Sequence, residues 1–254
     1  MKVAILTYNK IKSISYMKDE LVNRGIYTEN YNDADLIIRW GSSKESWLDY
    51  KTTTSANSVK NAANKKKMVE IFIENDIASL ASTNFDNICF PCYVFTEKHA
   101  HGNGLYILTS PEDYRQLKER FNVELAYWAP LLPIKQEYRC HLVKTNEGWK
   151  YLLLRKVFSK DKNLKPKKYS FLVRNRKAGY VFFIVKKWFK IYNRIIDECI
   201  KAMEVLGLNH GAVDVATYYI TKDKLGINIF EVNSGPSLSP RTAKFYVENL
   251  LKEV

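Results

Sequence analysis

Near the end of the chain, Asp214 lies in the run GAVDVATYY, and Glu231 and Asn233 close the run INIFEVN. An acid and an amide two residues apart share one face of a strand, because side chains alternate with a period of two. If the segment from Thr221 to Gly226 turns the chain and Ile220 faces Ile227, antiparallel pairing sets Asp214 opposite Asn233 and Ala216 opposite Glu231. All three oxygen-bearing side chains then meet on one face. Two carboxylates and an amide held there repel and desolvate one another unless a cation lies between them, and hard oxygen donors of this kind suit Mg²⁺. A solvent-facing polar strand would carry the same residues, and a register one residue away would scatter them.

Magnesium held by one or two carboxylates keeps phosphate oxygens among its other ligands, which directs attention to groups that bind phosphate. Gly102-Asn103-Gly104, preceded by His99 and His101, lies between two strand-like runs. Its backbone N–H groups could cover phosphates, and the same residues could equally form a plain hairpin turn. Lys65, Lys98, Arg139, Arg155 and Lys156 are cations of the kind that grip phosphate, although each by itself reads equally as a surface charge. The histidines form no metal set: His99 and His101 share a loop, while His141 and His210 belong to other elements. Cys89-Phe-Pro-Cys92 lacks a second pair at zinc-ligand spacing and reads as small residues packed at a strand start.

These residues need elements to hold them, and the patterning supplies three regions. KVAILTY is a short buried-type strand, SISYMKDELVNRG an amphipathic helix closed by Gly25, and DLIIRWG a second strand. This is a small βαβ unit. It lacks a G-x-G-x-x-G after its first strand, so it is not a dinucleotide site. The second region opens on a helix, SVKNAANKKKMVEIFIEND, with Val59, Ala62, Ala63, Val69, Phe72 and Ile73 at helical spacing. Strands follow on either side of the glycine loop, then the helix SPEDYRQLKERF with Ser110 as N-cap, then two strands around a Pro-bounded connection. In the third region GWKYLLLRKVF is a strand and a basic loop runs to about residue 180. VFFIVKKWFKIYNRIIDECIKAMEVLG reads as one long helix with a Trp188, Ile191, Ile195, Cys199, Ala202, Leu206 stripe closed by Gly207. The last hairpin and a final helix end the chain.

Composition is that of an ordinary globular chain. The 254 residues are 46% hydrophobic and 13% aromatic, with few Gly and Pro, which excludes a disordered or linker protein. Four cysteines make no disulfide framework, and neither a signal peptide nor an apolar run of membrane-spanning length stands out, which predicts a cytoplasmic protein. Forty Lys and Arg against 27 Asp and Glu leave a net charge of +13, so a polyanionic ligand fits: nucleotide phosphates, nucleic acid or an acidic polymer.

Taken in order, these stretches resemble the ATP-grasp superfamily, in particular its carboxylate–amine ligases. The likeness is to compact phage and bacterial forms similar to the ribosomal-protein-modifying and D-alanine–D-alanine ligases. GAVDVATYY and INIFEVNSGPSL are similar to the metal-binding end of that fold, and KQEYRCHLV to its E-Y-R-x-H strand. NKKKMVEIFIENDI resembles the Asn-Lys helix that precedes a strand beginning with Pro, here Pro91. HAHGNGLYI is similar to the phosphate-covering loop and FLVRNRKAGYVF to the Arg-Asn stretch late in the domain. The resemblance spans about residues 58–240.

What it implies is specific. The fold class would be α/β (α+β), with two α+β lobes gripping ATP after a small βαβ domain: residues 1–57, an N-lobe over 58–134 and a C-lobe over 135–254. Asp214, Glu231 and Asn233 would bind Mg²⁺, and Lys65 would bind nucleotide. Gly102 and Gly104, with Lys98 before them, would cover phosphates. The strand from Glu124 through Tyr127 to Leu131 would be the hinge that meets adenine, and Arg139, Lys156 and Arg174 would handle the transferred phosphate, polyphosphate or substrate acid. The activity implied is ATP-dependent amide or peptide bond formation through an acyl-phosphate, with ADP and phosphate released. The partners would be small-molecule or peptide carboxylates and amines, and a basic surface suits an acidic acceptor. Two departures stand out: Thr96-Glu97-Lys98 precedes the glycine loop, and Ser234-Gly235-Pro236-Ser237 follows the Asn where relatives continue Thr-Ala-Pro-Gly. Two other readings remain open at this stage. A basic nucleic-acid-binding module would explain the charge, and an ATP-grasp kinase or scaffold would bind nucleotide without forming a C–N bond.

Overall fold

The computed structural model describes residues 1–7, 14–45, 51–100, 103–120, 124–159, 179–185 and 190–253. β1 (Val3–Thr7) and β2 (Leu36–Trp40) pair in parallel, with α1 (Ile14–Asn23) between them in sequence, as the βαβ pattern predicts. α1 buries Met17 and Leu21, four residues apart on one face. Gly25, at φ +69°, turns the chain out of the helix: its N–H and that of Ile26 donate to the carbonyls of Val22 and Leu21.

After α2 (Ala56–Ala63) and α3 (Lys65–Glu74), a three-stranded antiparallel sheet forms in the order β4-β3-β5. Its strands are β3 (Cys92–Ala100), β4 (Asn103–Leu108) and β5 (Leu125–Pro130). α4 (Pro111–Arg120) joins β4 to β5. Ser110 caps it as expected, its hydroxyl accepting from the Asp113 N–H at 3.2 Å while the Asp113 carboxylate accepts from the N–H groups of Thr109 and Ser110.

The larger sheet has five antiparallel strands in the order β10-β9-β6-β7-β8. They are β6 (Ile134–Thr145), β7 (Gly148–Phe158), β8 (Tyr180–Ile184), β9 (His210–Tyr219) and β10 (Leu225–Asn233). β8 corrects the sequence reading, which ran these residues into the helix that follows. Tyr-Val-Phe-Phe-Ile is aromatic and β-branched, and pairing with β7 satisfies its backbone along one edge. The helix itself, α5 (Lys190–Val205), carries the expected stripe: Ile195, Cys199, Ala202 and Leu206 are buried, and Gly207 at φ +69° follows its end. Trp188 lies outside the described residues.

One face of the five-stranded sheet is apolar, with Tyr138, Cys140, Leu153, Val213, Val215, Ile229 and Val232 packed against α5. α2 and α3 join that same core through Val59, Met68 and Phe72, together with Ala126 and Tyr127 of β5. The helices assigned by sequence to the 58–134 segment therefore bridge the two sheets. The segment after α3 does the same with backbone bonds: Ala78 O accepts from Ile229 N on β10, and Ser82 exchanges two 2.9 Å bonds with Trp128 on β5. Finally α6 (Pro240–Leu250), begun by a Ser239/Thr242 capping box, lays Tyr246, Val247 and Leu250 against Val3, Met17, Leu21 and Trp40 of the N-terminal unit and against Val143 of β6. No helix among the described residues is long and apolar enough to cross a membrane.

Candidate functional site

The opposite face of the large sheet is polar. Period-two alternation puts Glu137, Arg139 and His141 of β6 on it, with Asp214 of β9 between Arg139 and Glu231: Arg139 pairs with Asp214 and Asp214 with Glu231 in the strand ladders. The hairpin differs from the predicted one. Tyr219, not Ile220, opens the pairing, opposite Leu225, and the tight turn is closed by Ile220 N donating to Lys224 O at 2.9 Å. Asp214 therefore faces Glu231 rather than Asn233, and Asn233 faces Ala212. The shared face survives for a structural reason. A tighter turn displaces the first half of the ladder by an odd number of residues, which alone would turn Glu231 and Asn233 into the core. A bulge at Phe230 then inserts one unpaired residue and reverses the parity, so that Val232 joins Ile227 and Ile229 in the core while Glu231 and Asn233 turn to the polar face.

Three ion pairs cover this face. Arg139 Nε and Nη2 each donate at 2.7 Å to separate oxygens of Asp214. Lys65, the first residue of α3, reaches Glu231 at 2.9 Å and the carbonyls of Ala62 and Val232 at 3.3 Å. Lys156 on β7 donates to Glu137 at 2.6 Å. The Asn-Lys junction is set locally: Asn64 ends α2 and caps α3, its side chain accepting from Lys67 N, which starts a new helix at Lys65 and points it at β10. Burial would raise the Asp214 pKa, but the Arg139 guanidinium outweighs it, and with Lys156 it holds the carboxyl below its ordinary value. Burial would lower the pKa of Arg139, yet Asp214 and then Glu231 carry it above the ordinary value.

Tyr127 of β5, a member of the core, lies near enough to Glu231 to feel its charge. Its ring stacks on Phe95 at 4.4 Å, and burial, reinforced by the Glu231 carboxylate, pushes its hydroxyl pKa up. Leu131 follows β5 and donates its N–H to Pro91 O at 2.9 Å. Glu124 is exposed at the other end of β5, roughly 20 Å away at about 3.3 Å per residue, so these two residues cannot meet one adenine ring. Gly104, at φ +74°, sits on β4 next to Asn103, which pairs with Ala100 of β3. Gly102 and Arg174 lie outside the described residues, as does the side chain of Lys98, whose backbone is in β3.

Two contributors stood in the quoted stretches but were given no role by the sequence. Glu137 is buried and neutralises Lys156; its place two residues before Arg139 was the available signal. Phe182, a residue of the unforeseen β8, places its ring 4.9 Å from the Arg139 guanidinium carbon and 5.6 Å from Lys156 Nζ. Behind the site, His141 Nδ1 lies 3.0 Å from the Tyr246 hydroxyl, which donates to Gly211 O at 2.5 Å. Burial and the Arg139 charge lower the His141 pKa to about 3, so it stays neutral.

The unusual Ser234-Gly235-Pro236 has a packing cause. A Cβ on Gly235 would meet Gly41 N at 2.7 Å and Gly41 Cα at 2.8 Å, and Trp40 Nε1 donates to Pro236 O at 3.2 Å. The N-terminal unit thus presses directly on the chain leaving Asn233.

The donor set fits a hard divalent ion. Among the described residues no three His, Cys, Asp or Glu side chains gather as a metal group; Asp214 and Glu231 supply two carboxylates and Asn233 would supply an amide oxygen. Arg139 and Lys65 now balance those carboxylates, and each is a cation that an arriving polyphosphate would attract.

No family model matches the sequence, and no curated protein matches it. Solved structures do. The D-alanine–D-alanine ligase from Bacillus anthracis superposes with a TM-score of 0.64 at 14% identity, covering 99% of this chain and 94% of its own. An N5-carboxyaminoimidazole synthetase from Staphylococcus aureus complexed with ADP gives 0.64 at 11% identity over 99% of this chain and 75% of its own. The VanG D-Ala:D-Ser ligase from Enterococcus faecalis gives 0.59 at 10% identity, with 93% and 90% covered.

Proposed function

We propose that this chain, which has the ATP-grasp fold, is an ATP-dependent carboxylate–amine ligase. The observation that carries the reading is the row Glu231–Asp214–Arg139 across three adjacent strands, with Lys65 on Glu231. It gathers two carboxylates and two cations on one sheet face, which supports metal and phosphate binding there.

In this reading a substrate carboxylate oxygen attacks the γ-phosphorus of ATP. The bond to the β-phosphate oxygen breaks and ADP leaves. An amine then attacks the acyl carbon, the C–N bond forms, the C–O bond to phosphate breaks, and the nitrogen gives up a proton. Arg139 and Lys156 offer N–H donors to the transferring phosphoryl group, and Lys65 and the backbone at Gly104 hold polyphosphate. Mg²⁺ bound by Asp214, Glu231 and Asn233 would neutralise phosphate charge and polarise the γ-phosphoryl group. Glu137 keeps Lys156 extended across the sheet, and the neutral His141 adds no charge behind Asp214. Small acids, amino acids and short peptides are the substrate class, and the +13 charge favours an acidic acceptor.

The test is a screen of amino acids and short peptides for ATP-dependent phosphate release, with Glu231→Gln as control. Release should need both an acid and an amine, and should fall at least about 100-fold in the variant, the loss of one transition-state stabiliser. Activity that survives in Glu231→Gln removes the metal assignment, and release without an amine removes the ligase.

A further inference from the structure

The Arg139–Asp214 pair is set by the sheet itself. The two residues are direct partners in the β6–β9 ladder, so the guanidinium need not reach across open space. Both carboxylate oxygens are engaged, each by a separate nitrogen at 2.7 Å, and the two side chains are only 15% and 21% exposed. Two-point pairs of this kind are the stronger class of charged hydrogen bond. Glu231 differs: Lys65 meets one of its oxygens, and its side chain is 41% exposed. A divalent ion arriving alone would find Glu231 open and Asp214 already occupied by a fixed positive charge.

A polyphosphate alters that balance, because it supplies the negative charge that a guanidinium prefers to bind by its fork. The ring of Phe182 lies 4.9 Å from Arg139 Cζ while the guanidinium is paired with Asp214, so this contact is a second hold on the same guanidinium that does not involve the carboxylate.

We propose that Arg139 is a placeholder cation for the metal site: it closes Asp214 to free divalent ions, so that metal enters only with the polyphosphate that draws the guanidinium away. Arg139 acts here as a positioning residue, through Asp214, and the inference rests on the metal assignment made under Proposed function. It selects the metal–nucleotide complex over free metal and keeps the empty site from loading metal unproductively.

The experiment titrates Mn²⁺ into the full-length protein without nucleotide and reads bound metal by electron paramagnetic resonance, for wild type, Arg139→Met, Arg139→Lys and the double variant Arg139→Met/Asp214→Asn. Circular dichroism checks each fold. Arg139→Met should bind Mn²⁺ about 10- to 100-fold more tightly than wild type, which is about 1.4 to 2.8 kcal/mol. Arg139→Lys should fall between, because one ammonium cannot hold both oxygens. The double variant should lose the gain. Equal affinity in wild type and both single variants overturns the proposal, as does a gain that persists in the double variant. A parallel titration with a non-hydrolysable ATP analogue separates the two readings. If wild type retains Mn²⁺ with the analogue while the single variants show no gain without it, the placeholder role fails and the metal assignment stands. If no protein retains Mn²⁺ in either condition, both fail.

Discussion

Replacing Gly235 by alanine tests how the N-terminal unit supports the site. The added Cβ would stand 2.7 Å from Gly41 N, 2.8 Å from Gly41 Cα and 3.0 Å from the Trp40 carbonyl carbon. All three are backbone atoms, so no side chain can rotate out of the way. Trp40 is itself fixed, its indole donating to Pro236 O at 3.2 Å and stacking on His210 at 5.4 Å. Relief requires β2 and the 234–236 segment to part. Overpacking of this kind costs about 1–3 kcal/mol, and the strained indole bond adds about 0.5–1.5 kcal/mol, for a total of about 2–4 kcal/mol. For a chain of this size that lowers the melting temperature by about 5–10 °C. Gly25→Ala is the control: its φ is +69° with nothing within 4 Å of the added carbon, so it suffers only left-handed strain of about 1–2 kcal/mol. Urea and thermal unfolding of both variants give the comparison. Because Asn233 lies two residues upstream, Gly235→Ala should also weaken binding of a fluorescent ATP analogue, whereas Gly25→Ala should not. A Gly235→Ala protein within 0.5 kcal/mol of wild type, or more stable than Gly25→Ala, would refute the close-approach argument.

Three further outcomes follow from the same geometry. Lys65→Met removes the cation on Glu231 and the polyphosphate contact together, and should weaken the fluorescent ATP analogue about tenfold or more; unchanged affinity would take Lys65 out of the nucleotide set. Glu137→Gln leaves the Lys156 ammonium mostly buried without its carboxylate and should cost about 1–3 kcal/mol, most of it recovered in Glu137→Gln/Lys156→Met when unfolding is measured in urea. Burial lowers the pKa of His210 to about 4, and burial with Arg139 lowers that of His141 to about 3, from 6.5 in the unfolded chain. The unfolded state therefore binds more protons below pH 6.5, and stability that is full above that pH falls between 6.5 and about 4 by about 1.4 kcal/mol per pH unit for each imidazole. His210→Gln should flatten that slope by about half; an unchanged slope would show that His210 does not stay neutral in the folded protein.

Local pattern settled a good deal of this protein. The βαβ start, the Gly25 and Gly207 helix ends, the Ser110 cap, the α5 stripe and the final hairpin all rest on neighbours within a few residues, where periodicity and turn chemistry act directly. So did the identity of the oxygen cluster, because Glu231 and Asn233 lie on one strand. Partnership across strands was another matter. No residue near Phe230 announces a bulge, yet it is the bulge that turns Glu231 toward Asp214 after a tighter turn had displaced the ladder. Tyr180–Ile184 reads as helix by its neighbours and becomes a strand only because β7 offers an edge. The pairing of Arg139 with Asp214, the contact of Glu137 with Lys156, and Gly235 against Gly41 join residues between 19 and 194 positions apart. Sequence determined which chemical groups were available; long-range backbone pairing, which no short window of residues encodes, decided which of them touch.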